Sequence, residues 1–333
     1  MSRSVVAVTG AEGFIGSHLV EALVARGHAV RAMVQYNSFG SYGWLDTLAP
    51  DVLADVEPIL GDVRDPRSVR GLMDGAEVVY HLAALIGIPY SYLAPRSYVD
   101  TNVTGTLNVL EAARELATPR VVHTSTSETY GTARSVPISE EHPTQAQSPY
   151  AATKVAADRL AESYHLSFGT PVVTLRPFNT YGPRQSARAV IPTIASQLAG
   201  GARTLRLGAV TPTRDLTYVT DTAEAFVAVG TAPADRVVGQ VLNAGSGREI
   251  SIGDLAHTLA ELMGSGDIEI VEDAPRLRPA ASEVQRLVCD ATRLRRATGW
   301  APLCDLRSGL ALTVAWFRDQ TNLARYRADA YAV

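Results

Sequence analysis

Tyr150 and Lys154 stand four residues apart at the start of a stretch patterned as a helix, "PYAATKVAADRLAESYHLSF". That spacing puts both side chains on one face, one turn apart. An ammonium beside a phenol favours the phenolate. A tyrosine drawn down from its ordinary pKa of about 10 can take a hydroxyl proton while hydride leaves the same carbon. The spacing alone is common by chance, and composition is what singles it out. Lys154 is the one lysine in the sequence; the other 29 of the 30 basic residues are arginine. A position that keeps an ammonium in such a chain needs a compact point charge on a flexible stem, which a guanidinium cannot give.

A second cluster precedes it. "RVVHTSTSETYG" ends a buried-strand pattern in a run of hydroxyls and one carboxylate, and strand ends are where α/β proteins hold ligands. Thr126 offers a hydroxyl that orients a substrate oxygen beside Tyr150. Glu128, next to Ser127, is either a base held over a substrate or a solvated carboxylate in a capping turn. Asn102, in "VDTNVTGTLN", falls within a helical segment, where an amide is a mediocre helix former. It either bridges backbone and lysine through water or faces solvent.

Such a site needs a scaffold. At 333 residues, 46% hydrophobic and 19% charged, the chain has the composition of an ordinary globular protein with a sizeable core. A net charge of -4 argues against a dedicated nucleic-acid or anionic-membrane binder. The two cysteines, Cys289 and Cys304, lack metal-like spacing, so neither a metal site nor a disulfide framework is expected, and a cytoplasmic home is. A strand pattern starts almost at once, leaving no room for a signal peptide, and no apolar run reaches the roughly 18 residues of a membrane span.

The first half alternates strand-like runs ("SVVAVTG", "AVRAMV", "VEPIL", "EVVYHLA", "RVVHTS", "PVVTLRP") with helical patterns, one of them long, from about Ser97 to Leu116. Apolar strands separated by helices predict an α/β fold, a Rossmann-type doubly wound parallel sheet covered on both faces. After Pro177 the rhythm breaks into "PFNTYGPRQSARAVIP" and then short mixed elements. This predicts a dinucleotide-binding domain over 1–177, with a segment near 214–245 returning to it, and a smaller, discontinuous α/β substrate domain over 178–333. The last residues, "LARYRADAYAV", read as a loose tail.

"VTGAEGFIG" places Gly10, Gly13 and Gly16 between the first strand and the first helix. There glycines allow a tight turn, a close backbone approach to a pyrophosphate and close helix packing, while the helix N-terminus favours phosphate. The acid expected about twenty residues on, for the adenosine ribose, is missing: the second strand ends with Val34 and Gln35. No Arg or Lys stands there for a 2′-phosphate, which favours NAD and leaves NADP open. Asp62, in "GDVRD", either caps the following helix or meets the adenine.

Together the glycine loop, "HLAA", Asn102, Thr126, Tyr150 and Lys154 resemble the extended short-chain dehydrogenases/reductases that act on nucleotide sugars. "YNSFGSYGWLD", "HLAALIGIPYSY", "TSTSETYGTA", "RPFNTYGPRQSARAVIPT" and "TPTRDLTYVTDT" are similar to NDP-N-acetylglucosamine 4,6-dehydratases of the legionaminic-acid type. The resemblance implies a cofactor against Gly10, Gly13, Phe14, Ile15, Gly16, Asp62, Val63, Leu82, Ala83, Ala84, Tyr150, Lys154 and Pro177. It implies C4 oxidation assisted by Tyr150, removal of the C5 proton by Glu128, loss of water from C6 and hydride return to C6. Where the dTDP-glucose branch has an acid before that glutamate, this chain has Ser127, as in the GDP-mannose dehydratase branch. The same triplet occurs in UDP-glucuronate decarboxylases, and a 4-epimerase shares the fold, although it has no use for a C5 base. A dinucleotide-sensing regulator would need none of the catalytic set. Arg214 resembles the family's diphosphate arginine and Arg278 a residue near the nucleotide base, while Asn179 and Arg188, in the junction segment, stand where they reach the diphosphate or sugar; the alternative for each arginine is a place on the surface. A homodimer through the helices near 97–116 and 149–168 is the implied assembly.

Overall fold

The computed structural model describes residues 3–326. Among these residues twelve strands form three sheets: β1 (Val5–Thr9), β2 (Ala29–Gln35), β3 (Val56–Gly61), β4 (Val78–His81), β5 (Arg120–Thr124), β6 (Val172–Pro177), β7 (Asn179–Tyr181), β8 (Thr204–Leu207), β9 (Thr213–Tyr218), β10 (Val241–Ala244), β11 (Glu249–Ser251) and β12 (Glu269–Glu272). Seven make one sheet in the order β10-β6-β5-β4-β1-β2-β3, every neighbouring pair parallel. Helices on both faces bury β6 at every position and β5 at all but its last, which is why these strands read as apolar runs. The order reverses direction between β1 and β4, and a crevice opens at such a switch point, beyond the carboxyl ends of the strands.

β7, β9 and β11 form a second sheet, and β8 pairs with β12. The helices Val190–Ala199, Ile252–Met263 and Leu306–Arg318 pack with them around Tyr181, Ile191, Leu205, Leu255 and Leu310. Among the described residues no helix is long and apolar enough to cross a membrane.

Three elements differ from the sequence expectation. The helix Val219–Thr231, which no sequence pattern predicts, packs against α1 (Phe14–Val24) and against β4, β5 and β6 of the large sheet. It buries Val219, Ala223, Ala225, Phe226, Val227 and Val229, and a helix buried nearly all round carries no amphipathic stripe to read. The expected helix over 97–116 is instead Pro95–Tyr98, a π-helical turn Val99–Thr104 and Gly105–Glu115. The widened turn carries Asn102 inward, and Gly105 passes so close to Val63 that a Cβ would meet its Cγ2 at 2.9 Å. Finally, the stretch read as a loose tail begins as docked structure. Gln320–Leu323 is a helical turn, Tyr326 meets Phe317 edge-on with ring centroids 4.9 Å apart, and its hydroxyl donates to the Gln185 carbonyl at 2.7 Å. Its remaining residues, 327–333, lie outside the described residues.

Candidate active site

A cavity of about 670 Å³ runs across the carboxyl ends of the large sheet and down to the smaller sheets. Its floor is the glycine loop. Gly10 has φ +68°, and a Cβ there would sit 2.8 Å from the Ala83 nitrogen; one at Gly16 would sit 2.1 Å from the Gly10 carbonyl oxygen. Only glycine permits this packing. The Thr9 hydroxyl accepts from Leu82 N and Ala83 N, both at 3.1 Å, tying the "HLAA" segment to the loop. No side chain caps the first turn of α1, so its amides are available to a phosphate. The cradle fits a dinucleotide.

Gly10, Gly13, Phe14, Ile15, Gly16, Asp62, Val63, Leu82, Ala83, Ala84, Pro177, Thr126, Glu128, Tyr150, Lys154, Asn179, Arg188, Arg214 and Arg278 all line this one cavity. Ser127 and Asn102 do not; both are buried behind the wall. Asp62 leaves helix capping to Asp65, whose carboxylate accepts from Arg67 N at 3.0 Å, and is itself held by Arg64.

The reacting side chains come from two adjoining elements. β5 runs out into a tight 3-10 turn, Ser127–Tyr130, capped by Thr126, which turns Glu128 towards the cavity. Opposite it starts the helix Pro149–Phe168. Ser148 caps it, its hydroxyl accepting from Ala151 N at 3.1 Å, Pro149 occupies the first turn, and Gly169 ends it in a left-handed turn. Thr126 hydrogen-bonds to Tyr150.

Asn102 is a clamp, buried away from solvent. Its Oδ1 accepts from Leu85 N at 2.8 Å, while Nδ2 donates to Leu85 O at 2.9 Å and to Thr153 Oγ1 at 3.0 Å. It thereby fixes the cavity wall against the helix bearing Tyr150 and Lys154.

The electrostatics correct the simple picture of Lys154 acidifying Tyr150. Burial raises the Tyr150 pKa, the Thr126 hydrogen bond works against this, and the charge of Glu128 adds to the rise. Lys154 donates to the Thr124 carbonyl at 2.5 Å instead. Burial pulls its own pKa down to about 8, against the attraction of Asp158 one turn on. No sequence motif singles out Asp158. Its carboxylate receives His123 at 3.1 Å, Ser125 at 2.7 Å and Arg176 at 2.7 Å. Burial opposes its charge, but the bonds from His123 and Arg176 outweigh that and hold its pKa at about 2.

At the far end Arg214 donates to Glu283 Oε1 at 3.0 Å. Arg278 approaches the same oxygen at 3.9 Å, and its Nη1 is buried without a hydrogen-bond partner, as is Asn179 Oδ1. Arg188 lies exposed at the rim, its Nε donating to Ser186 at 3.3 Å. Arg276 and Glu283 also line the cavity; only the fold, which brings residues 274–283 over β9, could reveal them.

The model of the GDP-mannose 4,6 dehydratase family matches residues 7–313. The chain belongs to this family. Within the GDP-mannose 4,6 dehydratase family and its extended short-chain dehydrogenase/reductase kin, the chain is 36% identical over 322 residues to a UDP-glucose 4-epimerase of Mycolicibacterium smegmatis, covering 95% of this chain and 99% of that one. It is 35% identical to a dTDP-glucose 4,6-dehydratase of Streptomyces griseus, covering 93% of each. The crystal structure of a dTDP-glucose 4,6-dehydratase from Streptomyces venezuelae with NAD bound superposes with a TM-score of 0.85 at 29% identity, over 97% of this chain and 99% of that one. Epimerases and dehydratases thus share the whole architecture while differing in reaction.

Proposed function

We propose that this chain is an NAD-dependent nucleotide-sugar 4,6-dehydratase, converting an NDP-hexose such as UDP- or GDP-N-acetylglucosamine to its 4-keto-6-deoxy derivative. One observation carries the reading: Glu128 shares a cavity with Thr126, Tyr150 and Lys154. Oxidation at C4 followed by epimerisation leaves a carboxylate at that place without a task; elimination across C5 and C6 requires one. NAD+, when bound, supplies the hydride acceptor for C4 and a positive charge that favours the Tyr150 phenolate. Tyr150 takes the 4-hydroxyl proton, with Thr126 orienting that oxygen. The resulting ketone acidifies C5, and Glu128 removes its proton. Ser127 is buried outside the cavity, and the other carboxylates lining it, Glu12, Asp62 and Glu283, belong to distant parts of the wall. Glu128 therefore also returns the proton to the hydroxyl leaving C6.

Arg214 and Arg278, with Asn179 and Arg188, bind the diphosphate end, where guanidinium forks suit phosphate oxygens. Replacing Arg214 by Met removes a charge-assisted contact made equally before and during reaction. The expected result is a rise in KM of about 10–100-fold with kcat nearly unchanged, measured in steady state. A fall in kcat alone would remove Arg214 from substrate binding. The reaction itself is tested by incubating the protein with NAD+ and UDP-GlcNAc, GDP-GlcNAc, dTDP-glucose or UDP-glucuronate and reading mass. Loss of one water without net cofactor reduction supports the dehydratase. Loss of CO2 from the glucuronate alone, or an isomeric product of unchanged mass, overturns it in favour of a decarboxylase or an epimerase.

The same reading makes the protein a homodimer. Val99, Leu166 and Phe168 are exposed apolar residues on or beside the two helical segments implied as the interface, and light scattering at micromolar concentration checks it: a monomer would overturn the dimer. Free thiols at Cys289 and Cys304 suit a reducing cytoplasm.

A further inference from the structure

We infer that Glu12, in the glycine loop, is the residue that selects NAD over NADP, taking the part of the acid missing from the end of β2. The inference rests on the dinucleotide reading above and concerns this chain's own residues.

β2 ends at Gln35 with no acidic side chain. The carboxylate reaches that place from the neighbouring loop: Glu12 Oε1 accepts from the Gln35 backbone nitrogen at 3.1 Å, and both residues line the cavity. The position is held from behind. The Glu12 carbonyl accepts from Trp44 N at 3.0 Å, and Gly43, with φ +61°, packs so closely that a Cβ would lie 2.8 Å from that carbonyl oxygen. A segment beyond β2 thus clamps the loop against the strand end.

The charge on this carboxylate has too few partners. Its second oxygen, Oε2, is buried with no hydrogen-bond donor. Burial raises the carboxyl above its ordinary value, against the pull of the Gln35 amide, as expected where donors are scarce. A ribose hydroxyl is a donor; a 2′-phosphate brings only negative charge to a site that already holds one. Nearby cations are engaged. Arg64, which lines the same end, grips Asp62 through Nε at 3.0 Å and Nη2 at 2.5 Å. Arg31 donates to the Asp74 carbonyl and lies 3.5 Å from Glu57. A phosphate there meets repulsion without compensation, and specificity is built as much on such repulsion as on attraction.

The test is calorimetric titration of the full chain with NAD+ and with NADP+, in wild type and in Glu12→Gln, which keeps an acceptor for the Gln35 amide but removes the charge. The expected result is NAD+ bound much more tightly by wild type, and a gap narrowed by about tenfold or more in the variant. Moving the acid to the strand end, in Glu12→Gln/Gln35→Glu, should reopen the gap. A merely structural role would weaken both dinucleotides in parallel, so an unchanged ratio in Glu12→Gln overturns the inference. If the glutamine variant does not fold, Glu12→Ala decides by the same ratio. Wild type that binds neither dinucleotide overturns the NAD reading itself, a different failure from an unchanged ratio.

Discussion

If the proposed dehydratase reading holds, Glu128→Gln should yield a folded protein that binds dinucleotide and nucleotide sugar normally and fails to eliminate water. The turn that presents residue 128 depends on its backbone, through the Glu128 N bond to Thr126 Oγ1 at 3.3 Å, and on the Thr129 hydroxyl, which donates to Thr126 O at 2.8 Å. An amide of the same shape leaves both in place. The substitution removes only the base. Positioned acid–base groups contribute about 10²–10⁴-fold, and the proposed reaction uses this one group at C5 and again at C6, so kcat should fall by the larger end of that range. KM should stay near its wild-type value, since no binding contact is lost. A sharper readout is isotopic. In deuterated water wild type places solvent deuterium at C5 of the product, and the variant leaves C5 of recovered substrate unlabelled. A variant that retains its rate within about tenfold, or still exchanges C5, would take the base role away from Glu128 and with it the main support for elimination.

The residues that meet in the cavity are legible in the sequence because they stand out by type at short spacing. Tyr150 and Lys154 are one helical turn apart, Thr126 and Glu128 share one turn after β5, and the glycines share one loop. Local geometry alone brings each set together, and the parallel sheet then delivers all three to one edge. Features that depend on long-range packing are not legible in this way. Asn102 reads as a mid-helix amide; its partners, Leu85 and Thr153, lie far away along the chain, and the π-helical turn that aims it inward has no clear sequence signature. Glu12 reads as a filler between glycines until β2 is laid beside the loop and its carboxylate meets Gln35 N. Asp158 is one more polar residue in a helix until β5 and β6 bring His123 and Arg176 onto it. The pKa of Tyr150 differs from the sequence expectation for the same reason. Spacing shows that an ammonium is near, but only the fold shows that the ammonium bonds to Thr124 O and that burial dominates the phenol.

Lys154→Arg, conservative by charge in a chain that otherwise uses only arginine, should be among the most damaging single changes. Lys154 is 4% exposed, and its ammonium donates to the Thr124 carbonyl. A guanidinium brings five donors and a larger plane into that space and cannot shed its proton. Lysine can: burial lowers its pKa from 10.5 to about 8. Between those two values the unfolded chain holds a proton that the folded chain has released, so stability rises with pH across that window, by about 3 kcal/mol in all. Below about pH 8 the burial penalty is present in full. Arginine keeps its charge throughout, and the variant lacks this rise. Denaturant unfolding of wild type and Lys154→Arg at about pH 7 and about pH 10 should therefore show a stability difference that widens with pH. Other titrating groups cancel in that difference. Catalysis should move the other way. Losing the ammonium removes the charge that the site is built around, so wild-type kcat falls as pH passes about 8 while stability climbs, and the arginine variant is slower by about 10²-fold or more at every pH. A stability difference that stays constant from neutral to alkaline pH would mean that burial does not strain this ammonium, and that the site keeps its one lysine for shape alone.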